Sequence, residues 1–179
     1  MDGSSRRPLG RTGLSVAPIG YGAFKIGRNV GTKYPTAYDL PSETEAARIL
    51  NEVLDLGIDL IDTAPAYGTS EEIIGRSIRH RREEYLLATK VGETFADGES
   101  HYDFSGPAVD ASLDRSLRRL ATDRLDLVSV HSDGSDLAIL ERGETLDTLA
   151  RRRERGDLRL VCFSGKTVEG LDCHGSCHN

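Results

Sequence analysis

Ile58 to Gly75 reads I-D-L-I-D-T-A-P-A-Y-G-T-S-E-E-I-I-G. Its first six residues are short and apolar, bounded by Gly57 on one side and a proline-containing loop on the other, which reads as a buried strand. Ser70 is placed to cap a helix, with Glu71 and Glu72 in the first turn where negative charge suits the helix dipole. One strand, one loop and one helix make a single βα unit. What lies on either side decides whether the unit repeats.

It does repeat. Upstream, Leu14 to Gly22 (LSVAPIGYG) reads as a first strand ending in glycines, followed by a loop from Phe24 to Pro41. Ser42-Glu-Thr-Glu45 is a capping-box pattern, and Ala46, Ile49, Leu50, Val53 and Leu54 recur at helical spacing until Gly57. Downstream, Tyr85 to Thr89 (YLLAT) is a third strand, and Glu93 to Phe104 reads as a polar loop. Ser105 and Pro107 open a helix with Val109, Leu113, Leu117 and Leu120 on one face. Leu125 to Val130 (LDLVSV) is a fourth strand, and a charged helix runs from about Glu144 to Arg155. The arginines at its end, Arg151 to Arg155, read as a solvated last turn where cations favour the dipole. Leu158 to Phe163 (LRLVCF) is a fifth strand, and Thr167 to Leu171 begins another helix. Four βα units and one more strand give an α/β fold with a parallel sheet covered by helices. Periodicity alone leaves an open doubly wound sheet and a barrel as alternatives.

Composition narrows the function classes. The chain has 179 residues, 37% hydrophobic and 29% charged, enough for one domain with a real core. A formal charge of -6 argues against nucleic-acid binding, which needs a basic face. No apolar run approaches the ~20 residues that span a bilayer, and Met1 to Arg7 lacks the apolar stretch of a secretory signal, so a cytoplasmic location is expected. Three cysteines, Cys162, Cys173 and Cys177, form no disulfide framework. Cys173, His174, Cys177 and His178 are zinc-type ligands, but adjacent Cys-His pairs suit a tetrahedral site poorly, and no metal is expected.

The polar residues at the strand ends carry the chemistry. Asp62 ends the second strand, Lys90 the third and His131 the fourth, and Tyr67 sits in the loop after the second. In a parallel β/α fold these carboxyl ends open on one face, which holds the site. Each residue alone has an ordinary structural explanation; four types converging on one rim are harder to explain that way. A tyrosine, with a reference pKa of ~10, acts as a general acid more readily beside a cation. Lys90 supplies the charge, Asp62 holds Lys90, and His131 can hydrogen-bond a small carbonyl substrate. No side chain donates hydride, so a nicotinamide or flavin is required.

These segments resemble the aldo-keto reductases: Leu9 to Gly22 (LGRTGLSVAPIGYG), Ile61 to Gly75, Ala88 to Gly92 (ATKVG) and Val128 to Asp133 (VSVHSD). The resemblance runs from about Pro8 to about Leu171. It implies a (β/α)8 TIM-barrel type fold, here truncated to about five parallel strands and four helices within residues 1–171, with 172–179 an irregular tail. It implies NADPH-dependent reduction of aldehydes or ketones by Asp62, Tyr67, Lys90 and His131, with Tyr67 the proton donor. By the same match Gly22, Ala23, Phe24, Asp62 and Ser164 lie near the cofactor, although Gly165 stands where the family often has Asn. Lys25 reads as a loop charge.

A full barrel takes ~250 residues, and the family's grip on the adenosine 2′-phosphate comes from later strands. Open first and fifth strands expose unpaired N–H and C=O groups, so self-association through these edges, or a partner polypeptide, is expected. The alternatives to an enzyme are a cofactor-sensing or regulatory interaction protein, as in the channel-associated β-subunits that share the fold, and an inert truncated fragment.

Overall fold

The five parallel strands form in the apolar runs of the sequence, and each of them is reached from the last through a helix. The computed structural model describes residues 6–32, 36 and 38–170. An antiparallel pair, β1 (Arg7–Pro8) and β2 (Ser15–Val16), precedes β3 (Tyr21–Gly22) and a short helix α1 (Phe24–Gly27). Then come α2 (Glu43–Asp55), β4 (Leu60–Asp62), α3 (Ser70–Ile78), a 3-10 segment (Arg79–Glu84) and β5 (Leu86–Val91). A hairpin of β6 (Glu93–Ala96) and β7 (Glu99–Tyr102) leads into α4 (Gly106–Leu120) and β8 (Leu125–His131). The rest is α5 (Asp136–Arg142), α6 (Glu144–Glu154) and β9 (Leu158–Ser164), with helix starting again at 168–170.

The five-stranded sheet has the order β3-β4-β5-β8-β9, every pairing parallel. Spatial order follows chain order without reversal, whereas a doubly wound sheet reverses at a switch point. Periodicity left those alternatives open; the strand order resolves them in favour of the barrel type. The four crossover helices α2, α3, α4 and α6 bury Leu50, Ile74, Leu113 and Leu149 against Ile61, Leu87, Leu125 and Val128 of the sheet. α2 starts as its sequence predicts, with the Ser42–Glu45 capping box formed in both directions.

Several local expectations are corrected. Leu14 to Gly22 is not one strand: Pro18 lacks an N–H, Ile19 is 66% exposed, and the segment divides into β2 and β3. The loop after β3 contains α1. Thr69, not Ser70, takes the cap position of α3; Ser70 is buried and donates instead to the Ala23 carbonyl. Ser105 caps α4 by position only, its own N–H going to the Asp103 carboxylate. Glu93 to Phe104 is a hairpin rather than a plain loop, and its two-residue turn Asp97-Gly98 takes positive φ at both positions. α5 was not expected. In the arginine run, Arg152 is only 4% exposed and pairs with Asp114 and Asp157, while its neighbours are exposed. The 172–179 tail, with its Cys/His cluster, lies outside the described residues.

Candidate active site

The carboxyl ends of β4, β5 and β8 bring three ionisable side chains to one rim. β4 pairs Asp62 with Ala88, so Lys90 lies two residues further along the neighbouring strand, within reach of it. Lys90 Nζ donates to Asp62 Oδ1 and Oδ2, each at 2.7 Å, and to the Thr63 carbonyl at 2.9 Å. Its three donor directions are used, and the ammonium is buried. Nζ also sits 4.8 Å from the centre of the Tyr67 ring, so Lys90 acts on Tyr67 as a nearby positive charge.

Tyr67 is held by backbone packing that only glycine permits. A Cβ on Gly27 of α1 would come within 2.3 Å of the Tyr67 carbonyl oxygen and 2.2 Å of the Ser70 nitrogen. Gly68 has φ +62°, and a Cβ there would lie 2.2 Å from the Gly27 carbonyl oxygen. The helix after β3 and the loop after β4 therefore touch backbone to backbone, joined by Thr69 N–H to Gly27 C=O at 3.2 Å. Phe24 packs edge-on against Tyr67 with ring centres 5.0 Å apart. Arg28 donates to the Ala66 carbonyl at 2.9 Å while its guanidinium stacks 3.3 Å from the Phe95 ring centre, tying the Tyr67 loop to the hairpin. Burial lowers the Arg28 pKa, partly offset by the Glu93 charge.

His131, the last residue of β8, presents its ring at right angles to Tyr67 with centres 6.3 Å apart. Its Nδ1 lies 2.8 Å from Glu93 Oε2. Burial would raise the Glu93 carboxyl, but the His131 ring and the Ser100 hydroxyl outweigh it and bring it down to about 2. Tyr67, His131, Glu93 and Ser100 line a cavity of about 530 Å³ with Phe24, Arg28, Tyr102 and Lys166. All four expected catalytic residues are thus within one site, with Lys90 and Asp62 outside the cavity lining and next to Tyr67.

The expected cofactor positions divide. Gly22 is aligned with Asp62, is exposed, and has open space where a Cβ would be. Phe24 lines the cavity, whereas the Ala23 side chain is fully buried and its N–H donates to the Asp62 carbonyl at 2.8 Å. Ser164 lies beside His131 in register. The glycine after it has a local cause: a Cβ on Gly165 would come within 2.8 Å of Asp136 Oδ2. That oxygen accepts the N–H groups of Lys166 and Thr167 at 2.8 Å, and Ser132 bonds the other one. Burial opposes ionisation of Asp136, but these bonds hold its carboxyl below the usual range. Lys25 stands 4.9 Å over the Tyr38 ring and does not line the cavity.

Glu93, Ser100, Arg28 and Asp136 were missed in the sequence. Asp97-Gly98, a hairpin signal, could have shown that Glu93 and Ser100 lie on paired strands, Glu93 opposite Tyr102 and Ser100 opposite Phe95. No metal-holding group of His, Cys, Asp and Glu occurs among the described residues. No described helix is long and apolar enough to cross a membrane.

Known proteins share this arrangement of strands. The chain is 33% identical over 170 residues to L-galactose dehydrogenase of Arabidopsis thaliana, covering 91% of this chain and 49% of that protein. It is 32% identical to the aldo-keto reductase YhdN of Bacillus subtilis, over 90% of this chain and 47% of that one. It thus spans about half the length of the curated relatives it matches. A solved Pseudomonas aeruginosa structure assigned to the aldo-keto reductases superposes with a TM-score of 0.87 at 48% identity, over 97% of this chain and 64% of that one. The holo form of the Bacillus halodurans aldo-keto reductase AKR11C1 gives 0.79 at 29% identity, over 98% and 55%. With the aldo/keto reductase family profile matching residues 18–174 as well, the chain belongs to that family, whose members are oxidoreductases that use NAD(P)H.

Proposed function

We propose that this chain supplies the proton-transfer part of an oxidoreductase site that interconverts a small aldehyde or ketone and its alcohol, with Tyr67 the proton donor. The observation that carries the reading is the Lys90 ammonium, pinned by both Asp62 oxygens and held 4.8 Å from the Tyr67 ring. A fixed positive charge stabilises phenolate, the form Tyr67 takes once its proton has gone to the substrate oxygen. Asp62 keeps that charge in place. His131, whose ring stands at right angles to Tyr67 and lines the same cavity, orients the substrate oxygen there. The fit for a nicotinamide rests on the open, side-chain-free rim at Gly22 and on Ser164 beside His131. When bound, NADPH supplies the hydride that no side chain can. Gly22, the backbone around Ala23, Phe24, Asp62 and Ser164 would hold it.

The choice of NADPH over NADH follows the family resemblance, and rates with each cofactor check it. NADPH oxidation with a panel of small aldehydes tests the main reading: the parent turns over, and Tyr67→Phe loses at least about a hundredfold. Equal rates in parent and variant would overturn it.

Association belongs to the same proposal. β3 and β9 each have one neighbour in the described sheet, and β9 is seven residues long with most side chains half-exposed. A long unpaired edge is a template for another chain. We therefore expect two copies to associate through these edges in the cytoplasm, with turnover per chain rising as they do. Light scattering alongside activity checks this; a stable monomer with full activity would contradict it.

A further inference from the structure

The cavity is lined by two cations that the proton transfer does not use, Arg28 and Lys166. Arg28, at the end of α1, is 8% exposed. Its Nε, Nη1 and Nη2 donate to the carbonyls of Val30, Ala66 and Gly31, each at 2.9 Å. A guanidinium has five N–H bonds, so one on each Nη is left without an acceptor among the described residues. Those residues also give Arg28 no ion pair, although a buried charge is costly without one. Burial lowers its pKa despite the field of Glu93. Lys166 reaches the cavity from the loop after β9, and that loop is anchored. The Asp136 carboxylate, 1% exposed, accepts the N–H groups of Lys166 and Thr167 at 2.8 Å and the Thr167 hydroxyl at 2.9 Å. A Cβ on Gly170 would come within 2.3 Å of the Asp136 Cβ, so the chain after Lys166 closes tightly over the same carboxylate. The Lys166 side chain itself is exposed, its ammonium 5.5 Å from the centre of the Tyr102 ring, with no ion pair among the described residues.

The acidic groups nearby are engaged elsewhere. Glu93, the one carboxylate in the lining, accepts the Ser100 hydroxyl at 2.6 Å and lies against His131. Asp133, on the loop after β8, accepts the N–H and hydroxyl of Ser135. Two cations against one carboxylate leave the lining net positive. We propose that the substrate of this site is an oxo acid, whose carbonyl meets Tyr67 and whose carboxylate is taken up by Lys166 in the field of Arg28. Lys166 is the specificity-determining residue, a point charge on a flexible stem that can follow the carboxylate. Arg28, fixed by three carbonyls, gains the counter-charge that its own surroundings lack. The carbonyl end rests on the oxidoreductase reading, and the carboxylate end stands on the two cations.

A matched pair of aldehydes tests it, 5-oxopentanoate and its uncharged methyl ester, with NADPH oxidation by the full chain as the readout. In the parent, kcat/KM favours the acid by about tenfold or more, as a hydrogen bond to a charged group allows. Lys166→Met removes most of that preference, through KM for the acid rather than kcat. Lys166→Arg keeps it, Lys166→Glu turns it toward the ester, and added salt narrows it. A parent that reduces both aldehydes equally well, or a Lys166→Met variant that keeps the preference, overturns the proposal. Where neither aldehyde is turned over, pentanoate decides, since it carries no aldehyde and its binding is read by saturation-transfer NMR. Binding to the parent that Lys166→Met loses supports the carboxylate site and leaves the failure with the proton-donor reading of Tyr67. Pentanoate that binds neither protein, or both alike, overturns the carboxylate site.

Discussion

Two ion pairs sit at opposite ends of the same sheet, the Arg82–Asp126 pair with both partners nearly buried and the Lys90–Asp62 pair with Asp62 open to solvent, and they are finished differently. At the amino ends of β5 and β8, Arg82 pairs with Asp126 at 2.6 Å. Arg82 also donates to the Tyr85 and Arg124 carbonyls and to the Thr122 hydroxyl. Asp126 accepts the Leu87 N–H at 2.9 Å, so one carboxylate joins a neighbouring strand to the 3-10 segment. Every polar neighbour there belongs to the scaffold. At the carboxyl ends, Lys90 and Asp62 satisfy each other just as closely, but the charge stands beside an aromatic ring that faces an open cavity. The amino-end pair cross-links the barrel wall, and the carboxyl-end pair supplies a field to a group that reacts. This is the division between stability and activity faces expected of β/α barrels.

Breaking the two pairs separates these roles. The largest effect is at the carboxyl face: Lys90→Met lowers turnover by about 10²–10⁴-fold and moves thermal stability far less than activity. A variant that unfolds without a specific loss of rate per folded chain would erase the distinction. At the amino face, Asp126→Ala costs about 3 kcal/mol in denaturant unfolding, because it leaves Arg82 buried without its carboxylate. Its rate per folded chain stays at the parental level.

Glu71 sharpens the comparison with a pH dependence. It lies 1% exposed between α3, β5 and α4, accepting the Thr89 hydroxyl at 2.8 Å, and burial raises its pKa. A carboxyl raised in the folded state contributes stability below its unfolded pKa and loses it as pH rises through the folded value. Glu71→Gln should therefore match the parent in acid and overtake it as pH rises above the usual glutamate range, measured by urea unfolding. A constant difference across pH would show that Glu71 does not titrate on folding. The smallest effect is at the start of α2, where Ser42→Ala removes the capping box at about 1 kcal/mol with activity unchanged.

The sequence was most legible where one physical cause acts alone. The four βα units follow from apolar runs and helical spacing, and Asp62, Lys90 and His131 stand out because they end strands. The missed features needed contacts between segments distant in sequence. Ser70 looks like a cap until Ala23 supplies a buried carbonyl for its hydroxyl. Arg152 is indistinguishable from Arg151 and Arg153 in sequence, but its helix turns it toward Asp114 and Asp157. Glu93 read as a polar loop residue because its partners, His131 and Ser100, come from another strand and from across a turn. Barrel and open sheet could not be separated by periodicity, since both need the same apolar strands; the order of pairing distinguishes them.

A double-mutant cycle on Tyr67 and Lys90 tests the account at its centre. NADPH oxidation with one aldehyde is compared in the parent, Tyr67→Phe, Lys90→Met and the double variant, at concentrations where the chain is associated. If Lys90 acts through Tyr67, the double variant is no slower than Tyr67→Phe alone. Losses that multiply, or a parent no faster than the double variant, would contradict it.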